Sequence, residues 1–445
     1  MPAGFLKHPF MSQRAVAECD DDAMVRAMLT VELALAEVQE ASGAIPHGVS
    51  QQMREQLARA DLDASEIAQG IASGGNAAIP FVKQGRALLT DDLKRYWHQG
   101  ATSQDVVDSA LMLLLKPRLA ALDELLLRCR SAALALMEVH IDTPMVGRTL
   151  MQQALPMTFG VKVAHWAIGL EQARRRLFAV ELPVQLGGAV GVHSGWDTLG
   201  LEWMDALAGR LGLAVPVLPW HTDRYPIHAL GTALDAVAGA AEKIALDVSL
   251  LTQTEVGEVA EPTAPGMGES SSMPHKRNPV RSALIRGAAR QVHGHTSVLL
   301  NAAAQPLERG LGEWHAEWAP LTESALLVEG ALEQVAVLLE GLEVNPANMH
   351  RNLAAAGGGI MAEPVARLLA PTLGMEQAKA VSAEAAETSR REARPYSEVL
   401  AEHPDVKGAV NPDALREACD PALYLGSSAA QVMRTRKWLA SSSAH

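Results

Sequence analysis

The sequence predicts an all-helical chain built around long helices, and three observations carry that expectation. Hydrophobic residues make up 48% of the chain while Phe, Trp and Tyr together supply 4%, so the interior must be filled mainly by Ala, Leu, Val and Met, a composition suited to closely packed helices. Apolar residues recur at helical spacing over runs longer than an ordinary domain needs. Strand-like alternation is scarce. At 445 residues the chain exceeds one ordinary core and should divide into two or three domains, unless a very long bundle absorbs it.

The elements follow in order. Asp20, Asp21 and Asp22 offer carboxylates at a helix start, and Met24, Met28, Val31, Leu35 and Val38 share one face. Gly43 and Pro46 end that helix. A polar, Ala-rich helical stretch leads to the loop Gly74-Gly-Asn-Ala-Ala-Ile-Pro80 and to Tyr96-Trp-His-Gln-Gly-Ala-Thr-Ser103, which belong to a small amino-terminal domain, residues 1–103. Thr102 or Ser103 can cap the next helix, which runs to about His140 with an expected kink at Pro117. Further long apolar patterns span Pro156 to Leu182, Ala229 to Val256 and Thr322 to Leu342. Several such helices around a common axis make a bundle, here a central domain at 104–343. After Asn345, Gly357-Gly-Gly359 and the turns near Pro395, Pro404, Pro412 and Pro421 mark a third, smaller domain, 344–445.

The formal net charge of -13 argues against a nucleic-acid or anionic-membrane partner, since both reward a basic face. An anionic substrate must then meet a local cationic pocket. Cys19, Cys129 and Cys419 are odd in number and far apart, lacking the spacing of a zinc site or a disulfide framework. The amino end lacks an apolar run followed by a small-residue cleavage site, and no stretch of about 18 residues is free of charge. A soluble, cytoplasmic protein is expected.

The chemistry concentrates in Gly268-Glu-Ser-Ser-Ser-Met-Pro-His-Lys-Arg-Asn278. Its serines, prolines and adjacent cations exclude a core helix and make it a polar loop between long helices, at 266–280. This string closely resembles the signature Ser-Ser-x-Met-Pro-x-Lys-x-Asn of the fumarase/aspartase superfamily. Thr102-Ser-Gln-Asp105 with Asp108, and Gly147-Arg-Thr-Leu-Met-Gln152 with Pro156, resemble that superfamily's other conserved regions in the expected order. The resemblance spans essentially the full chain. It implies a three-domain helical fold whose central bundle assembles as a homotetramer, with each active site shared between subunits. It also implies Ser270 as the catalytic serine on a mobile loop, Lys276 and Asn278 as holders of a substrate carboxylate, and Thr102, Ser103, Thr149 and Gln152 as substrate contacts. Read locally, those four could equally cap helices.

The chemistry gives these residues a reason. Taking a proton from beside a carboxylate makes a dianion, so cations and donors must already be aimed at its oxygens. A serine acts as a base only in positive, water-excluding surroundings, which a closing loop supplies.

Two departures narrow the reaction that the resemblance implies. Members that expel poor leaving groups carry a histidine after Gly-Arg-Thr and a glutamate seven residues past the signature lysine; here these are Leu150 and Ala283. Losing both removes one proton-donating function. A carboxylate, whose conjugate acid has a pKa near about 4, departs without a donor. That fits lactone opening or closure, and Asn76-Ala-Ala-Ile-Pro-Phe-Val-Lys83, Thr254-Glu-Val-Gly-Glu-Val-Ala-Glu-Pro262 and Trp314-His-Ala-Glu-Trp318 resemble the superfamily's muconate-lactonising cycloisomerases. The branch implies closure of a tricarboxylic muconate in protocatechuate breakdown, with Arg148, Arg224, Arg309 and His315 as further substrate contacts. Trp314 and Trp318 by themselves read as one helical face packing on a neighbour. Glu269 stands where the family has glycine, and the surroundings of Arg224 differ from its usual pattern. The alternatives are a sulfonate-bearing muconate, a substituted succinate of nitrosuccinate or adenylosuccinate type, and a structural protein that kept the fold. Leu150 and Ala283 disfavour the adenylosuccinate reaction. No cofactor and no metal is called for, because no Walker loop, dinucleotide fingerprint or zinc spacing occurs.

Overall fold

The structure, a computed structural model, describes residues 9–58, 62–263, 268, 273, 275–355 and 357–441. Ser270 and Glu269 lie outside the described residues. The chain forms two compact units. The first comprises Met1–Leu126, Ala173–Glu242 and Leu284–Gln334; the second comprises Leu127–Gln172, Lys243–Ala283 and Val335–His445. All five cuts fall inside long helices: Ser103–Val139, Phe159–Phe178, Tyr225–Leu251, Val280–Asn301 and Glu313–Glu340. The 37 residues of Ser103–Val139 make a rod of about 55 Å, and it continues through Pro117.

In the first unit, the helix Asp21–Ala41 begins where the side chain of Asp20 accepts from the Ala23 amide. Asp21 and Asp22 in its first turn complement the helix dipole. Met28, Val31, Leu35 and Val38 are buried as the periodicity requires, and this helix packs against Thr198–Leu211. The Arg118 guanidinium is buried between Glu329 and Glu18.

The second unit contains what the sequence did not disclose. Strands β1 (Pro144–Thr149) and β2 (Gln152–Thr158) form an antiparallel hairpin with a register shift between Val146 and Arg148. Pro156, expected to open a helix, therefore sits in β2, and the helix starts at Phe159. A second, minimal pairing joins Val259–Ala260 to Glu343–Val344. The carboxy-terminal helices close on a core of Met361, Val365, Leu369, Val381, Leu400 and Leu415.

No disulfide joins the three cysteines. Burial pushes the Cys19 and Cys419 thiols up to about 11 and Cys129 up to about 12. Among the described residues no single helix is long and apolar enough to cross a membrane.

Candidate active site

In the second unit the signature segment is closed at its base. The carbonyl oxygen of Gly268 accepts from the Asn278 amide at 3.0 Å and from Asn278 Nδ2 at 3.2 Å. Gly268 has φ +75°, and a Cβ there would stand 2.9 Å from the Asn278 carbonyl oxygen, so glycine is required at this pinch. Arg277 forks onto the Glu343 carboxylate at 2.9 and 2.8 Å and donates to the Glu261 carbonyl. Its hydrogen bonds hold the Glu343 carboxyl below the ordinary range. The Glu261 carboxylate accepts from the Arg281 and Ser282 amides and the Ser282 hydroxyl, satisfying donors at the start of the helix Val280–Asn301. These anchors leave Lys276 exposed, its ammonium without an ion-pair or hydrogen-bond partner among the described residues. Lys276 and Asn278 line a cavity of about 1170 Å³ with Gln253, Thr254 and Asn345.

The same unit presents the hairpin. Arg148 Nη1 and Nη2 grip the Glu258 carboxylate at 3.0 and 2.7 Å. Glu258 is 0% exposed and also accepts from Asn352 Nδ2 at 2.9 Å. Thr149 and Gln152 face each other across the end of the ladder, both exposed, so neither caps a helix. Leu150 stands at the tip; Ala283 lies exposed in the helix Val280–Asn301.

The first unit gathers Thr102, Ser103 and Arg309. The Thr102 amide donates to Asp105 Oδ2 at 2.9 Å, and Ser103 begins the long helix. Asp105 also accepts from the Gly188 amide and meets His221 Nε2 at 2.6 Å. Arg309 donates to Gln104 Oε1 at 2.7 Å and to the Ala189 carbonyl at 2.8 Å. Gln104 in turn donates to the His221 carbonyl.

Arg224 has a different place from the one expected of a substrate contact. It is 2% exposed, and its Nε, Nη1 and Nη2 are shared between Asp108 and Glu317. Burial works against its charge, but the two carboxylates raise its pKa. In this arrangement Arg224 organises a buried ion cluster, its guanidinium committed to Asp108 and Glu317. His315 is exposed and its Nε2 lies 2.9 Å from the Gly75 carbonyl, flanked by the rings of Trp314 and Trp318. Trp314 is buried and donates to Asp108, as packing of that face requires. Among the described residues no group of three or more His, Cys, Asp or Glu could hold a metal.

Sequence reasoning passed over His221, Glu258 and Glu261 as shaping residues. Their partners lie 116, 110 and about 20 residues away, and nothing local marks them. Glu258 and Glu261 carried a signal only through the Thr254–Pro262 resemblance.

A family model described as lyase matches residues 11–294, and one described as adenylosuccinate lyase C-terminus matches residues 358–435. The chain is 41% identical to the 3-carboxy-cis,cis-muconate cycloisomerase of Pseudomonas aeruginosa, covering 96% of this chain and 94% of that protein. It is 39% identical to the nitrosuccinate lyase of Streptomyces davaonensis, covering 94% and 91%. The crystal structure of the 3-carboxy-cis,cis-muconate lactonizing enzyme from Pseudomonas putida matches with a TM-score of 0.93 at 37% identity, covering 99% of both chains.

Proposed function

This chain belongs to the lyase family within the fumarase/aspartase superfamily, and from that membership we propose that it closes 3-carboxy-cis,cis-muconate to its carboxymuconolactone. The carrying observation is a missing pair: Leu150 at the hairpin tip and Ala283, exposed in the helix Val280–Asn301, offer no proton donor where poor leaving groups would need one. A carboxylate needs none, whether it attacks or departs.

The roles follow from the chemistry. Lys276 supplies the uncommitted cation for the substrate carboxylate next to the carbon that gains the proton, and Asn278, pinned at the loop base, supplies donors beside it. Ser270 delivers that proton in the lactonising direction. Thr149 and Gln152 offer exposed polar side chains, and Thr102, Ser103, Arg309 and His315 complete the proposed contacts. Arg148 arrives with its charge offset by Glu258, so it contributes direction more than net charge. Holding the attacking carboxylate at the ring-closing carbon supplies much of the rate. The reaction needs neither metal nor cofactor. The division at 1–103, 104–343 and 344–445, a homotetramer with shared sites, a cytoplasmic location and a role in protocatechuate breakdown belong to the same proposal.

A second reading has one observation in its favour, the 39% identity to a nitrosuccinate lyase. Nitrite is also a leaving group that needs no acid, so Leu150 does not separate the two. Parallel assays on 3-carboxymuconate and nitrosuccinate do: turnover of the muconate supports the first reading, and turnover of nitrosuccinate alone sinks it.

A further inference from the structure

In the first unit the helices Asp21–Ala41, Ala64–Gly74, Ser103–Val139 and Glu313–Glu340 surround a cavity of about 300 Å³. That is the lower end of the range for small-ligand sites, with room for one ring and a short substituent. Met28, Ile67, Val107, Leu111 and Leu326 line it, each at most 9% exposed.

One polar group in this apolar wall is left over. Trp318 lines the cavity, and its Nε1 is buried without a hydrogen-bond partner among the described residues. The ring is not free to swing toward one: it packs edge-on against Trp314 at 4.9 Å and beside His315 at 4.8 Å between centroids. A buried donor left unmet opposes folding, so a place that keeps one invites an acceptor. Water is a poor candidate, because it needs about two to four polar partners and these walls offer few. The other polar side chains of the lining are Cys19, Asp20, Asp21 and Thr322. Thr322 Oγ1 donates to the Trp318 carbonyl at 2.8 Å, and Asp20 accepts from the Ala23 amide. Burial pushes the Cys19 thiol up to about 11, so it is neutral at pH 7.

We propose that this cavity is a binding site for a small, neutral, single-ring molecule whose carbonyl or ether oxygen accepts the Trp318 indole N–H. Each term of that class has its reason. The apolar walls select a ring, the unmet N–H selects an acceptor and rejects an ammonium, and the carboxylates of Asp20 and Asp21 with the low-dielectric walls reject an anion. A polycarboxylate substrate and its lactone are rejected on the same ground, so the site is separate from the one that does the chemistry. The inference stands whether or not the cycloisomerase reading does.

The test uses the full-length protein and three planar probes with the same number of non-hydrogen atoms. Acetophenone carries the acceptor, α-methylstyrene replaces it by a methylene, and benzoate adds charge. Isothermal titration calorimetry should show saturable acetophenone binding, about tenfold tighter than α-methylstyrene and about tenfold or more tighter than benzoate. Trp318→Phe keeps the apolar wall but lacks the donor, so it should bind acetophenone and α-methylstyrene equally. Ala68→Phe, at an exposed lining position, should block both. In fluorotryptophan-labelled protein, the fluorine resonance missing from Trp318→Phe should shift when acetophenone is added. Absence of saturable binding, as when water or a neighbouring copy fills the cavity, would overturn the proposal. Equal affinity for the three probes, a preference for acetophenone that survives Trp318→Phe, or undiminished binding to Ala68→Phe would do the same.

Discussion

Glu258→Gln would leave the Arg148 guanidinium without its buried counter-charge. Because Arg148 is only a quarter exposed, the change should cost about 2 kcal/mol in urea unfolding and lower kcat/KM by misdirecting the hairpin. Arg224→Met separates support from binding more sharply. It abandons Asp108 and Glu317 in a buried site and should cost about 3–5 kcal/mol, whereas a substrate ligand would lose activity without loss of stability. His98 carries a pH signature. Burial pushes its pKa down, but the Glu32 carboxylate, 2.5 Å away, pulls it up further, and the net shift is upward. The pair therefore stabilises fully below the unfolded value of about 6.5 and loses that contribution as pH rises through the higher folded value. Thermal melts of wild type and His98→Asn should differ more at pH 6 than at pH 9; an equal or larger gap at pH 9 would contradict the assignment.

At the scale of elements, the pinched base of the signature segment makes a clear prediction. Gly268→Ala meets both a positive φ and a 2.9 Å contact with the Asn278 carbonyl, so it should displace Asn278 and lower kcat by about tenfold or more. Global unfolding, followed by circular dichroism, should hardly move. The long helices were legible because Ala and Leu repeat at their period, and Asp20 marked a start that the structure caps as written. The hairpin was not legible. Met145 and Val146 are both buried, so β1 lacks simple alternation, and Leu150-Met151 replaces the Asn-Gly that would announce a tight turn.

For the molecule as a whole, the signature segment and its two companion regions identified the superfamily, and the matches at 41% identity agree with it. Partnerships between distant residues could not be read in this way. Arg224 looked like a substrate cation until Asp108 and Glu317, 116 and 93 residues away, were seen to enclose it. Asp105 and His221 are likewise brought together only by folding. The central claim is a reaction, and its most direct measurement mixes the purified protein with 3-carboxy-cis,cis-muconate and no added metal or cofactor. The account predicts loss of the muconate absorbance, an isobaric lactone by mass spectrometry, and loss of both in Ser270→Ala. Inert muconate beside rapid turnover of nitrosuccinate or another substituted succinate would contradict it.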